Sequence, residues 1–440
     1  MTHTLPGILF ALALGTGAAT AAPQPGTSSS KSEEWRAQQR AAVEKSENLL
    51  GQAEKQKGLL AQYTLLRGAY NADESAHFRL IFSQYVSWYE SFIGAYDEAR
   101  TTFSIRQPAA DDDAASPFED ASLHAEDAVE AITRLSEGRK AVFFNEAHNA
   151  PVTRVLTVQM LEKLRKQGFN TFAAETLYPG DTTLGERGYP IADSGFYTRE
   201  PIYAEMVRTA LKLGYRVVSY ESESQKGGNE REREQAQNLY NASFKQDPKT
   251  RLVVNAGYAH IQESGKYLGG ESMAQHFARI ARIDPLTIEQ TMLIEHDTAS
   301  KDHPYFRTYA ASSRRSVATV FMTSKNKAWT LKPDLYDVSV FLPVTDHERD
   351  RPTWLALGGL RTSYQVGAEL CRGQLPCLLE ARYIEEDSDA VPADRLVVSR
   401  LQQVSHLYLR PGRYRLSSSN LDNETIASVN ITVTADGKNP

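Results

Sequence analysis

The stretch AVFFNEAHNAP, Ala141–Pro151, decides how the chain is read. Four apolar residues, Ala141 to Phe144, stop at Asn145-Glu146-Ala147-His148, with Pro151 just beyond. A short apolar run bounded by polar turn residues reads as a buried strand, so Lys140–Asn145 is a strand that ends in a carboxylate and an imidazole. The same grammar recurs downstream. Strands are predicted at Thr171–Glu175, Arg216–Glu221, Arg251–Ala256 and Leu286–Thr291, and helices at Val152–Gln167, Tyr203–Leu213, Glu230–Phe244 and Ser272–Ala281. Gly168 and Gly214 stand where helix C-caps belong, each just before the next strand. Repeated βα units of this length predict an α/β fold, a mainly parallel sheet flanked by helices, over residues 122–345.

Outward from this core the chain changes character twice. Residues 33–107 are rich in Ala, Leu, Gln, Glu and Lys with few breakers, and predict an N-terminal helical region. Within it, Gly94, Tyr96, Ala99 and Phe103 follow the spacing of the second helix of a tetratricopeptide repeat. No second copy occurs at that period, so a helical hairpin is expected, with Trp88, Tyr89 and Phe92 as core or as a face for docking another protein. Residues 108–121 hold an acidic run, Asp111-Asp112-Asp113, between two prolines, and read as a solvated linker. Residues 346–440 alternate breakers with short β-rich runs and predict a small antiparallel, β-sandwich-like domain.

Composition narrows the partners. Of 440 residues, 41% are hydrophobic and 24% charged, with a formal net charge of −6, so no positive field favours nucleic acid. Leu5–Ala22 is an apolar run closing in small residues, and Ala19-Thr20-Ala21 fits a cleavage site. Residues 1–21 are therefore expected to be a signal peptide, residues 22–32 a Pro/Gly/Ser linker, and the protein periplasmic or secreted, with no transmembrane segment after cleavage. Cys371 and Cys377 are the chain's two cysteines; their x5 spacing is not a zinc pattern, and in an oxidising compartment a local disulfide is expected.

Ligands of open α/β sheets bind beyond the carboxyl ends of the strands. The first strand delivers Glu146 and His148 there, the second Glu175, the third Glu221, and the fourth His260. Recurrence at equivalent positions argues for a shared site, since a buried carboxylate without a partner is costly. A histidine steadied by Glu146 or Glu175 can take a proton from water near neutral pH. His260 can donate to an oxyanion or a leaving group. Arg154, in the first turn of the next helix, can hold an anionic or carbonyl oxygen or lie on the surface. No Gly-x-Ser-x-Gly element is present, which disfavours a serine acyl-enzyme. His148, Glu175, Glu221 and His260 also suit a divalent metal, zinc or manganese.

The ordered motifs Asn-Glu-x-His, strand-Glu, strand-Glu and Gly-x-x-His resemble the erythromycin esterase/ChaN-like/Tiki superfamily. Arg231-Glu232, Gln235-Ala236 and Asn238 resemble its Arg-acid helix after the third strand. The resemblance spans about Arg139 to Thr291. It implies metal-independent hydrolysis of an ester, lactone or amide in a small-molecule or peptide substrate. A Tiki-like metallopeptidase is the alternative it permits. A non-catalytic ligand- or metal-binding protein is the reading of another class. Two departures stand out: Asn145 replaces the family's usual Gly, and Thr153-Arg154 occupy the place of an iron-associated histidine pair.

Overall fold

The computed structural model describes residues 28–224, 226–312 and 316–434. The expected signal peptide and the linker up to residue 27 lie outside the described residues. Ser28–Ser32, expected as linker, belong to the first helix.

The N-terminal region is four helices rather than a hairpin: α1 (Ser28–Glu54), α2 (Leu59–Ala72), α3 (Ala76–Phe92) and α4 (Tyr96–Thr102). In α3 the aromatic and aliphatic residues Phe78, Phe82, Tyr85, Val86, Trp88, Tyr89 and Phe92 recur around most of the helix, and all are buried. A helix apolar nearly all round must be covered on several sides. Gly94, at φ +79°, breaks α3 from α4, and a Cβ there would lie 2.1 Å from the Arg395 carbonyl oxygen. Only glycine fits both demands.

Next come β1 (Leu123–Asp127), α5 (Ala128–Leu135), β2 (Ala141–Glu146), α6 (Val152–Lys166), β3 (Thr171–Ala174), α7 (Leu184–Arg187), α8 (Pro201–Lys212), β4 (Arg216–Val218), α9 (Gly228–Ala242), β5 (Leu252–Gly257), α10 (Met273–Ala281), β6 (Leu286–Glu289), α11 (Pro304–Ser312), β7 (Thr319–Thr323) and β8 (Val338–Ser339). Six strands form one sheet in the order β4-β3-β5-β2-β6-β8, and every neighbouring pair is parallel. β1 stays outside it and pairs antiparallel with β7. Alternate residues of β2 serve opposite cores. Val142 and Phe144 pack with α6, α8 and α3, while Ala141 and Phe143 pack with α9 and α10. Burial on both faces is why these strands read as continuous apolar runs. The four N-terminal helices thus share a core with the sheet.

The acidic stretch is solvated over Asp111 and Asp112, as expected, but it is docked at Asp113 and Phe118. Asp113 pairs with Lys332 at 2.8 Å and His303 at 3.2 Å, and Phe118 packs edge-on against Phe321 and Phe341. His303 in turn accepts a hydrogen bond from Tyr305 N–H just inside α11.

After β8 the chain forms β9 (His347–Glu348), β10 (Arg351–Pro352), β11 (Thr362–Gly367), β12 (Cys377–Tyr383), β13 (Asp394–Val398), β14 (Val404–Leu409), β15 (Gly412–Ser419) and β16 (Thr425–Val433). All their pairings are antiparallel: a four-stranded sheet β13-β12-β15-β16, and the pairs β11-β14 and β9-β10. A Cys371–Cys377 disulfide staples the turn before β12. This tail is joined to α8 by buried charge. Arg208 donates to both Glu386 oxygens at 2.7 and 2.6 Å, and Glu205 lies against Arg361 at 3.2 Å and against Arg410. Among the described residues, no helix is long and apolar enough to cross a membrane.

Candidate active site

The sheet order explains how distant motifs meet. β5 lies between β3 and β2, so the ends of these three strands are contiguous. Glu146 ends β2, Glu175 follows β3, and Gly257 ends β5, with His260 in the single 3-10 turn after it.

His148 and Glu146 form a buried pair, with Nδ1 3.0 Å from Oε1. Arg154, from the first turn of α6, grips the same carboxylate with Nε and Nη2, each at 2.8 Å. Asn255 adds a bond to Oε2 at 2.7 Å. Burial opposes charge on Glu146, but Arg154 outweighs it and holds the carboxyl at about 2. Being ionised, Glu146 only accepts, so His148 Nδ1 carries a proton. Arg154 continues to Glu200 at 2.8 Å, and Glu200 accepts from Tyr96 of α4 at 3.0 Å. The sequence left Arg154 open between a site and the surface; it is fully buried.

Glu175 lies between two histidines. Its Oε2 is 4.0 Å from His148 Nε2, and its Oε1 is 3.3 Å from His260 Nε2. The Gly257 N–H donates to Oε2 at 2.6 Å. Burial raises the Glu175 carboxyl, yet His260 and Arg231 more than offset this and hold it well below the usual range. His260 places Nδ1 2.8 Å from Glu232 on α9. Burial works against its charge, but Glu175 and Glu232 prevail and raise it to about 10.

Glu221 sits one step away. Arg231 of α9 donates Nε and Nη2 to its two oxygens at 3.1 and 2.9 Å, and reaches Glu175 at 3.1 Å. Gln235 adds 2.9 Å to Glu221, and Asn238 holds the Glu221 carbonyl at 3.0 Å. Positions 231, 235 and 238 share one helix face, which gives the Arg-Glu-x-x-Gln-Ala-x-Asn run its physical content. Asn145 ties strand ends together: Nδ2 donates to the Tyr258 carbonyl at 2.9 Å and Oδ1 accepts from Gln290 N–H at 2.7 Å.

All six sequence candidates, Glu146, His148, Arg154, Glu175, Glu221 and His260, are therefore linked by ion pairs. Three contributors are not site candidates by sequence: Arg231 and Glu232, although their motif is visible, and Trp88, expected only as core or a docking face. The indole of Trp88 packs edge-on against His148, Phe196 and Tyr197, and Tyr197 stacks on the His148 ring at 4.1 Å. The site is not the open rim that strand-end placement suggested. His148 is buried beneath this aromatic layer, Glu175 and His260 are buried as well, and solvent reaches the cluster at Arg231 and Glu221, whose side chains are 18% and 11% exposed. Two non-glycine residues in the left-handed region, Thr176 (φ +62°) and Tyr258 (φ +43°), directly follow Glu175 and Gly257. Such strain of about 1–3 kcal/mol persists where surrounding contacts over-determine it.

The four residues proposed as metal donors do not fit a divalent ion. The Arg231 guanidinium bridges Glu175 and Glu221, where a shared cation would sit, and His260 already faces a carboxylate with each ring nitrogen. Among the described residues, no group of three or more His, Cys, Asp or Glu is arranged to hold a metal.

No protein-family model and no curated protein matches the chain. Among solved structures, it is similar to the type III effector HopBA1 at 12% identity, covering 37% of this chain and 82% of that one, with a TM-score of 0.24. RRSP, a MARTX toxin effector domain from Vibrio vulnificus CMCP6, is 16% identical over 51% of each chain, with a TM-score of 0.28. The C-terminal region of Pasteurella multocida toxin is 11% identical over 80% of this chain and 50% of that chain, with a TM-score of 0.26. This chain spans about half the length of the last two. Overlap at this level does not define a shared fold.

Proposed function

We propose that this protein is a metal-independent hydrolase of ester, lactone or amide bonds, of the erythromycin esterase/ChaN-like/Tiki type. The observation that carries this reading is the shared carboxylate of Glu175. Two histidines approach its two oxygens, and each is backed by a carboxylate of its own, Glu146 or Glu232.

The two rings have opposite roles. His148, protonated at Nδ1 by its contact with Glu146, offers the Nε2 lone pair as the base that takes a proton from water. The water oxygen bonds to the substrate carbonyl carbon. His260, held charged, donates from Nε2–H first to the developing oxyanion and then to the leaving oxygen or nitrogen as the carbonyl–heteroatom bond breaks. Glu175 keeps both rings aimed at the same point. Arg231, at the solvent-facing edge, is placed to meet a carbonyl or anionic group on entry. A base and a charged donor around one position are the arrangement acid–base catalysis needs.

The Cys371–Cys377 bridge and the apolar leader support an exported protein, periplasmic or secreted. The substrate is a small molecule or a short peptide.

The test is a panel of chromogenic esters, lactones and peptide amides, assayed with and without a strong chelator. Hydrolysis that survives chelation and is lost in His148→Asn supports the reading. Activity that chelation removes and zinc or manganese restores would establish the metallopeptidase instead. Absence of turnover across the panel, with saturable binding of one member, would leave a ligand-binding protein.

A further inference from the structure

Glu232 is a carboxylate on a helix flank with none of its side chain exposed. Its Oε2 faces His260 Nδ1 at 2.8 Å and accepts from the Met273 N–H, at the start of α10, also at 2.8 Å. Helix capping alone does not account for it. Ser272 already caps α10 through Gln275 N–H at 3.2 Å, and Glu232 Oε1 is buried without a hydrogen-bond partner. Burying a carboxylate completely is costly unless a charge answers it. The facing charge is His260.

Resting on the hydrolase reading above, we propose that Glu232 is the positioning residue of His260: it fixes Nδ1–H toward α9, so that Nε2–H points at Glu175 and the reacting position. The geometry is that of a carboxylate orienting a histidine through its far nitrogen, which sets the tautomer at the near one. His260 thereby serves as a donor and His148 as the base, although both rings contact Glu175. The groups facing His260 are Glu175 beyond β3, which Arg231 of α9 also contacts, Glu232 on α9, and Tyr267, whose ring lies edge-on at 5.1 Å. His148 stands on the far side of Glu175. Of these, Glu232 is the carboxylate at Nδ1.

The experiment is a long-range proton–nitrogen spectrum of the full chain labelled with nitrogen-15 histidine, with His260 assigned by loss of its signals in His260→Asn. At about pH 7.5, one unit above the ordinary histidine value, wild-type His260 should show the doubly protonated pattern with a slowly exchanging Nδ1–H. In Glu232→Gln its titration midpoint should fall by about one unit or more. If Glu232 capped α10 without bonding the His260 ring, that midpoint would stay where it is. A neutral His260 in the wild-type spectrum, or an unmoved midpoint in a folded Glu232→Gln protein, would overturn the proposal. Should Glu232→Gln fail to fold, the wild-type pattern and its Nδ1–H still decide. The measurement needs no turnover, so failure of the hydrolase reading and failure of this assignment are separate results.

Discussion

Gly257 lies directly against the His148 ring: a Cβ at position 257 would sit 2.3 Å from His148 Nε2 and Cε1, and 3.0 Å from Glu175 Oε2. The backbone there is ordinary, at φ −74°, so glycine is required by close approach and not by conformation. Its bare N–H also binds Glu175. Gly257→Ala must therefore push the base away from the shared carboxylate. Hydrolysis of whichever panel ester is turned over should drop by about 100-fold, the order expected for a misplacement of about 1 Å. Wild-type rates in a folded Gly257→Ala protein would show that His148 does not work in the position seen here.

His148 carries packing as well as chemistry. Its ring is stacked on Tyr197, flanked by Trp88 and Tyr258, and supplies one of the bonds to buried Glu146. A solvent-facing histidine would be removed at little cost, but here His148→Ala should destabilise the protein by about 2–4 kcal/mol, the sum expected for a cavity and a lost buried hydrogen bond. Turnover should fall by about 10²–10⁴. His148→Asn, which keeps a donor toward Glu146, should recover part of the stability and none of the rate. Urea unfolding of the two variants, paired with the ester assay, separates these effects.

The strand-end residues were legible because a parallel strand buried on both faces is a continuous apolar run, and the first polar residue marks where it ends. Glu146, Glu175, Glu221 and His260 stand out for that reason. The order of the strands leaves no such trace, so nothing in the chain shows that β5 comes between β2 and β3 and brings His260 to Glu175. Burial was misjudged because the cover is remote in sequence: Trp88 and Tyr197 lie far from the motif they enclose. Asp113 misled in the same way, since Lys332 and His303 are its partners. Charge runs read as solvated unless their long-range partners are known.

The C-terminal sheets look separable by pattern, yet α8 depends on them. Glu205 and Arg208 are buried, and their charge partners Arg361, Arg410 and Glu386 all lie past Asp346. A chain ending at Asp346 leaves these groups without compensation, and breaking one buried pair typically costs about 3–5 kcal/mol. The truncated protein should be insoluble or lack a cooperative thermal transition. A monomeric, cooperatively melting product would show that α8 tolerates solvent at this face.

Cys371 and Cys377 should resist alkylation in the native protein and label fully after reduction. Mass spectrometry of the intact chain reads the difference directly. Labelling of both without reductant would remove the main structural support for an oxidising compartment.

Four buried groups contribute to how stability should vary with pH. Glu146 and Glu205 are held at about 2, below the ordinary 4.5. Burial opposes this, and Arg154 in one case and Arg361 and Arg410 in the other prevail. A depressed folded-state value gives stability that is complete above about pH 4.5 and lost as pH falls toward 2. His260 is the reverse case, raised from 6.5 to about 10. Its contribution is complete below about pH 6.5 and lost as pH rises through 10. Glu90 on α3 also weakens the alkaline side. Burial lifts it from 4.5 to about 7 despite its 2.8 Å contact with Arg67, so the folded state holds its proton longer than the unfolded chain does. That contribution fades as pH climbs from about 4.5 to 7. Unfolding free energy measured in urea should therefore peak between about pH 4.5 and 6.5 and decline on both sides. Glu90→Gln isolates one contribution: relative to wild type it should gain stability between about pH 4.5 and 7 and level off above, because only the wild type must ionise a buried carboxyl over that interval. A constant difference between the two proteins over that interval would mean that Glu90 ionises in the folded state as easily as in water.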